Sequence, residues 1–125
     1  MMIPTEVKLH QISGLLELVY EDGSRFELSA EYLRVFSPSA EVQGHSPDQA
    51  VLQTGKQMVK IANLVPQGHY ALRIEFSDGH DSGIFSWDYL FDLGVHHDTK
   101  WPIYLEQLAA AGQSRQPQFI AVSSS

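Results

Sequence analysis

The side chains of this chain that could carry out chemistry are its histidines, serines and carboxylates. It has six histidines and no cysteine, so a metal site or a nucleophile would have to be built without a thiolate. His45 and His80 could, together with His96 or His97, bind a divalent metal if the fold brought them close. Their spacing matches no known metal-binding pattern. We therefore expect ordinary loop histidines, and metal binding stays an alternative.

Two further patterns resemble catalytic motifs but are incomplete. The stretch SDGHD at residues 77–81 places a hydroxyl, an imidazole and carboxylates close together in sequence. It lacks the strained turn of a nucleophile elbow, and neighbouring residues of a hairpin point to opposite faces. Gly55 and Lys56 lack the earlier glycine and the following Ser or Thr of a phosphate-binding loop. We predict no catalytic and no cofactor-binding residues, and hence that the chain is not an enzyme.

Length and charge narrow the class of protein further. A chain of 125 residues forms one domain by the usual length prior. Its net charge is −7 and its eight basic residues are scattered, which disfavours nucleic acid binding because that requires clustered cations. No apolar stretch approaches the length of a membrane span, and no basic region followed by an apolar run opens the sequence. We expect a cytoplasmic protein that does not enter a membrane.

A repeat predicts the architecture that must position these residues. The segments LVYEDGSRFELSAEYL at 18–33 and IEFSDGHDSGIFSWDYL at 74–90 each read as a strand, an Asp-Gly turn, a short strand and a capped helix. A strand at 7–12 precedes the first unit, and strands at 57–64 and 70–76 belong with the second. We predict an α+β fold, a small antiparallel β-rich domain with two repeated units of hairpin plus short helix.

The remaining segments are a long loop, a last helix and a tail. Residues 37–56 contain prolines, glycines and polar residues and are predicted to be a connection. The C-terminal helix is predicted from Pro102 to Gly112, which completes a domain at residues 1–112. Residues 113–125 are predicted to be a partly disordered tail, in which residues 119–122 could add an edge strand.

The string YALRIEFSDGHDSGIFSWDYL at 70–90, with Asp22-Gly23 and YLR at 32–34, resembles the N-terminal domain of γ-butyrobetaine hydroxylase and trimethyllysine hydroxylase. The resemblance covers roughly residues 5–110 and is strongest to the stand-alone bacterial form, a domain of unknown function. It implies a small β-rich domain with short helices.

The same resemblance implies a structural zinc site that this sequence does not preserve. Family members often carry Cys-Pro-Cys-Ala-x-Cys after the Leu-Arg pair, and the histidine of the Asp-Gly-His turn completes a Cys3His set. The matching positions are Ser37, Ser39, Val42 and His80. A protonated serine hydroxyl is a poor zinc ligand and valine has no lone pair. We expect no metal there, with Ser37 and Ser39 in turn or capping roles and His80 hydrogen-bonded to the loop.

The resembling oxygenases bind iron through a His-x-Asp motif in a separate, larger domain. His96 and Asp98 match that motif formally. The chain is too short for the barrel that presents such ligands, and a third ligand is also needed. We expect these residues in a solvated loop.

These observations predict a non-catalytic accessory or protein-interaction domain that needs no cofactor. Similar domains occur fused to P-loop carriers of iron–sulfur clusters in plants, so the resemblance implies a role near cofactor or iron–sulfur assembly. A metal-binding domain with substituted ligands and a small enzyme remain the alternatives. We expect a protein partner to bind at the loop, where it would contact His45, His80 and nearby aromatic surface such as Trp87. Self-association stays open.

Overall fold

The computed structural model describes residues 2–117, which form two three-stranded antiparallel sheets and four α-helices. The first sheet has the order β1 (Glu6–His10), β2 (Leu15–Val19), β3 (Arg25–Ser29), and the second β4 (Ile61–Gln67), β5 (Ala71–Phe76), β6 (Gly83–Ser86). The helices are α1 (Ala30–Val35), α2 (Ala40–Gln43), α3 (Trp87–Val95) and α4 (His97–Ala110), with a 3-10 turn at Pro47–Gln49. The predicted α+β architecture with a C-terminal helix is confirmed.

The two Asp-Gly turns have the same geometry, which confirms the repeat. Gly23 and Gly79 have φ of 90° and 89°. Each donates its N–H to the carbonyl three residues earlier, at 3.1 Å for Gly23 to Tyr20 and 3.0 Å for Gly79 to Phe76. Only the glycine has positive φ, so each turn is a three-residue loop that ends in a left-handed glycine, and not the tighter turn in which both central residues are left-handed.

A serine begins the helix of each unit. The Ser29 hydroxyl accepts the N–H of Tyr32 at 3.0 Å, and the Ser86 hydroxyl accepts that of Tyr89 at 3.1 Å. Both helices pack on one core shared by the two sheets, formed by Leu16, Leu18, Leu28, Tyr32, Leu33, Leu72, Ile74, Phe76, Phe85, Leu90 and Leu93. The repeated units therefore stabilise each other through their apolar faces.

Several predicted boundaries were wrong. The long connection contains α2 and a 3-10 turn, which are too short to give a periodic signal. The strand predicted at 57–64 begins at Ile61 and extends through Pro66 to Gln67. The last helix begins at His97 rather than near Pro102, which lies inside it.

The C-terminal segment contacts the rest of the domain through Ser114 and Arg115. Gly55 and Gln57 donate their N–H groups to the carbonyls of Ser114 and Arg115, at 2.9 and 3.0 Å. Arg115 forms two hydrogen bonds to the buried Glu31, at 2.7 and 2.8 Å. The edge strand predicted at 119–122 lies outside the described residues. Within residues 2–117, no helix is long and apolar enough to cross a membrane.

Candidate functional site

The start of the long loop and the β5–β6 hairpin meet at His80. His80 follows the Asp78-Gly79 turn and is only 6% exposed, and Ser37, just after α1, is completely buried. The Ser37 Oγ lies 2.8 Å from the His80 Nε2, and the Glu41 Oε2 lies 3.2 Å from the His80 Nδ1. Both ring nitrogens therefore have partners, and both partners come from the loop.

Burial determines the charge of this imidazole. It lowers the pKa of His80 below its ordinary value, and the nearby Arg34 charge acts in the same direction, while Glu41 and Asp78 oppose the shift. Burial therefore favours the neutral form of His80. If Nδ1 carries the proton and donates to Glu41, Nε2 accepts the hydroxyl hydrogen of Ser37.

Ser37, His80 and Glu41 are connected in the order of a hydrolase triad, but the hydroxyl is closed off. The Ser37 Oγ accepts the N–H of Ser39 at 3.3 Å, and Gly83 packs so closely that a Cβ there would overlap this oxygen. An acylated serine needs open space beside its oxygen and free N–H donors for the oxyanion. In this structure the three residues form a hydrogen-bonded junction between loop and hairpin and have no access to a substrate.

Further hydrogen bonds surround this junction. Ser39 begins α2, its hydroxyl accepting the N–H of Glu41 at 3.2 Å, and its Oγ lies 2.7 Å from that of Ser82 on the hairpin. The Gln43 Nε2 donates to the carbonyl of Ser37 at 3.0 Å. The predicted capping role of Ser39 and the predicted bond between His80 and the loop agree with this geometry.

The donor set at this place does not suit zinc. The positions to consider are Ser37, Ser39, Val42 and His80, and they offer one imidazole, two protonated hydroxyls and one hydrocarbon side chain. The His80 Nε2, the atom that a metal would need, already forms a hydrogen bond with the Ser37 Oγ. In the described part of the chain, no group of three or more His, Asp or Glu residues is placed to hold a metal.

A charged group on the other side of the hairpin turn holds the far end of the loop. The Asp78 Oδ2 accepts hydrogen bonds from Arg34 at 2.9 Å and from Lys56 at 3.0 Å. Burial opposes ionisation of this carboxyl, but the bonds from Lys56 and Arg34 outweigh it and lower the pKa of Asp78 to about 2. Arg34 also donates to the Gln53 Oε1 at 3.0 Å, so the ion pairs and the loop share one network.

Between these two attachments the loop and α4 enclose a cleft of about 370 Å³. Its walls are mostly uncharged, and they include the apolar side chains of Val35, Phe36, Val42, Val51 and Leu52 and the amide side chains of Gln43, Gln53 and Gln107. The Tyr104 hydroxyl donates to the carbonyl of Gln53 at 2.7 Å across one wall, and burial raises the pKa of Tyr104 to about 12. The cleft therefore offers apolar contacts and neutral hydrogen-bonding groups.

The structure does not gather the histidines singled out in the sequence. His45 is exposed after α2, whereas His80 is buried and can influence a partner only through the loop that it holds. Trp87 is half-buried, its Nε1 donating to the carbonyl of His69 at 2.9 Å.

The His-x-Asp sequence was expected in a loop, and this was wrong in part. His97 and Asp98 lie in the first turn of α4, and His96 is the residue that joins α3 to α4. The His97 ring lies 4.6 Å from that of Tyr32, while His96 contacts Asp92 at 3.4 Å. These side chains are engaged separately and do not form a ligand set.

Sequence reasoning missed Glu41, Ser82 and Arg34 as parts of the site. Glu41 fell within the predicted connection, and its imidazole partner is 39 residues away in the chain. The signal that could have found Arg34 is its place in the Leu-Arg pair of the motif.

The comparisons with known proteins agree with this fold. A model of the family described as "Gamma-butyrobetaine hydroxylase-like, N-terminal" matches residues 7–91. An NMR solution structure of a protein 49% identical covers 98% of this chain and 97% of its own, with a TM-score of 0.82. A second NMR structure, 43% identical, covers 100% of this chain and 94% of its own, with a TM-score of 0.80.

A crystal structure of a protein of unknown function from Acidithiobacillus ferrooxidans is 39% identical and has a TM-score of 0.62. It covers 74% of this chain and 92% of its own. No protein of curated function matches. The chain therefore belongs to the γ-butyrobetaine hydroxylase-like N-terminal domain family.

Proposed function

We propose that this protein is a non-catalytic accessory domain that binds a protein partner through the cleft between the long loop and α4. The observation that carries the proposal is the cleft itself, which is lined by apolar and amide side chains and includes the exposed Val51. Uncharged surfaces of this kind are typical of the centre of a protein interface. The loop is also anchored at both ends to the rigid β5–β6 hairpin, and preorganisation lowers the entropic cost of binding.

The enclosed Ser37 supports a non-catalytic role. An activated serine would react with a fluorophosphonate probe, and we expect the native protein to remain unlabelled. Labelling at Ser37 would instead favour the alternative of a small enzyme and would contradict the proposal.

Binding at the cleft can be tested with a pair of matched substitutions. The partner is first identified by affinity capture with the native protein and then purified. Val51→Glu puts a charge on a side chain that is 56% exposed and lines the cleft, and Ile12→Glu makes the same change at a fully exposed site in the β1–β2 turn. We expect Val51→Glu to weaken binding by about tenfold or more and Ile12→Glu to leave it unchanged. Equal affinities of both variants and wild type would place the interface elsewhere.

The pathway of this partner is a separate part of the proposal. The resemblance to domains fused to iron–sulfur carriers favours a cytoplasmic partner in cofactor or iron–sulfur assembly. Identification of the captured protein tests this point, and a partner with another role would refute the pathway while leaving the interface intact.

A further inference from the structure

The junction at His80 lies where the family relationship implies a metal, yet its donors cannot hold one. We propose that the hydrogen bonds among Ser37, His80 and Glu41 fasten the loop to the β5–β6 hairpin without a metal ion, at the place and with nearly the geometry of a tetrahedral metal site. This inference concerns how the loop is held and does not depend on what the cleft binds.

The short distance between the loop and the hairpin supports the comparison with a tetrahedral metal site. In a tetrahedral site, a thiolate at about 2.3 Å and an imidazole nitrogen at about 2.1 Å from zinc lie roughly 3.6 Å apart. The Ser37 Oγ and the His80 Nε2 are 2.8 Å apart. Loop and hairpin would have to separate by less than about 1 Å at this point to admit a metal. The direct hydrogen bond therefore occupies the space of the ion.

The other two positions, Ser39 and Val42, follow closely in the chain and are buried. Ser39 donates its N–H to the Ser37 Oγ at 3.3 Å, and its hydroxyl already crosses to Ser82 on the hairpin. Val42 lies one helical turn further on, donates its N–H to the carbonyl of Ser39 at 3.0 Å and is 4% exposed. Ser39 is thus joined to the junction by hydrogen bonds, and Val42 is a buried neighbour one turn away whose side chain lines the cleft.

Hydrogen bonding can replace the metal because the buried polar side chains of the junction, Ser37 and His80, both have partners. Ser37 is fully buried and uses its Oγ both toward His80 and as an acceptor for Ser39. The Nδ1 of His80 is satisfied by Glu41, whose carboxylate reaches the surface and so remains hydrated. An unsatisfied imidazole in this position would be costly, and a satisfied one stabilises the loop.

Cobalt(II) provides the test, because tetrahedral cobalt bound to thiolates gives intense absorption bands. We expect the wild-type protein to show no such bands, to purify without stoichiometric zinc and to melt at the same temperature with zinc or with a chelator. The triple variant S37C/S39C/V42C should bind cobalt(II) one to one, and adding H80Q to it should weaken that binding about tenfold or more.

Two results would overturn the inference. One is binding of zinc or cobalt by the wild-type protein that H80Q abolishes, and the other is a folded triple variant without thiolate bands. If the triple variant does not fold, hydrogen exchange on S37A and H80Q decides the question. Amides of residues 40–44 should exchange faster in both while those of β1 and β2 stay unchanged, and unchanged exchange at 40–44 in both would refute the junction.

Discussion

Removal of the Ser37 hydroxyl tests how much the metal-free junction contributes to stability. In S37A the buried His80 Nε2 loses its hydrogen-bond partner and the N–H of Ser39 loses an acceptor. An unsatisfied buried polar group costs about 1–3 kcal/mol. Because Ser37 is 0% exposed and Gly83 packs against its Oγ, water cannot easily replace the hydroxyl. We therefore expect the free energy of unfolding to fall by about 2 kcal/mol.

Urea unfolding followed by the fluorescence of Trp87 and Trp101 measures this change. The matched control is S13A, which removes an exposed serine hydroxyl from the β1–β2 turn and should change stability by less than about 0.5 kcal/mol. The double variant S37A/H80L removes both partners and should cost less than the sum of the single changes. A loss below about 0.5 kcal/mol in S37A, or strict additivity in the double variant, would refute the reasoning.

Three further predictions concern the turns, the C-terminal segment and pH. Replacing either Gly23 or Gly79 with Val should destabilise the protein by about 1–2 kcal/mol in thermal unfolding, because both glycines have positive φ. No atom lies within 4 Å of a Cβ added at either position, so the loss would come from backbone strain, and a neutral change would exclude that strain. R115A leaves Glu31, whose side chain is 7% exposed, without its partner and should cost about 1–3 kcal/mol, while the double variant R115A/E31Q should recover part of this loss. The pKa of His80 is lowered on folding, so the unfolded chain binds the proton more tightly than the folded protein does. The free energy of unfolding should therefore decrease as the pH falls below about 6.5, and this decrease should be lost in H80Q. Identical pH profiles of wild type and H80Q would contradict this prediction.

The repeat and its turns were readable from sequence because their signals are local. An Asp-Gly pair between alternating apolar residues and a serine before a short helix each act within a few residues. Ser29 and Ser86 cap the helices as predicted, and Gly23 and Gly79 have the positive φ that such turns need. The sequence did not distinguish a two-residue from a three-residue hairpin loop, since Asp-Gly occurs in both.

Boundaries were less predictable where tertiary contacts outweigh propensity. Pro102 usually marks the first helical turn, yet α4 begins at His97, whose ring packs on Tyr32 and Trp101. Pro66 lies inside β4, which is an edge strand of the sheet formed by the described residues. An edge strand tolerates a proline because one of its sides needs no backbone N–H donor.

The sequence by itself determined the strand and helix units, the absence of thiolate ligands and the family to which the chain belongs, because these depend on residue type and short spacings. Only the tertiary structure showed that Ser37 and Glu41 hold His80 from positions 43 and 39 residues away, and that the loop and α4 enclose a cleft. Contacts at such separations leave no periodic pattern in the chain. They exist because the shared core brings the two repeated units together, and that packing places the loop on the hairpin.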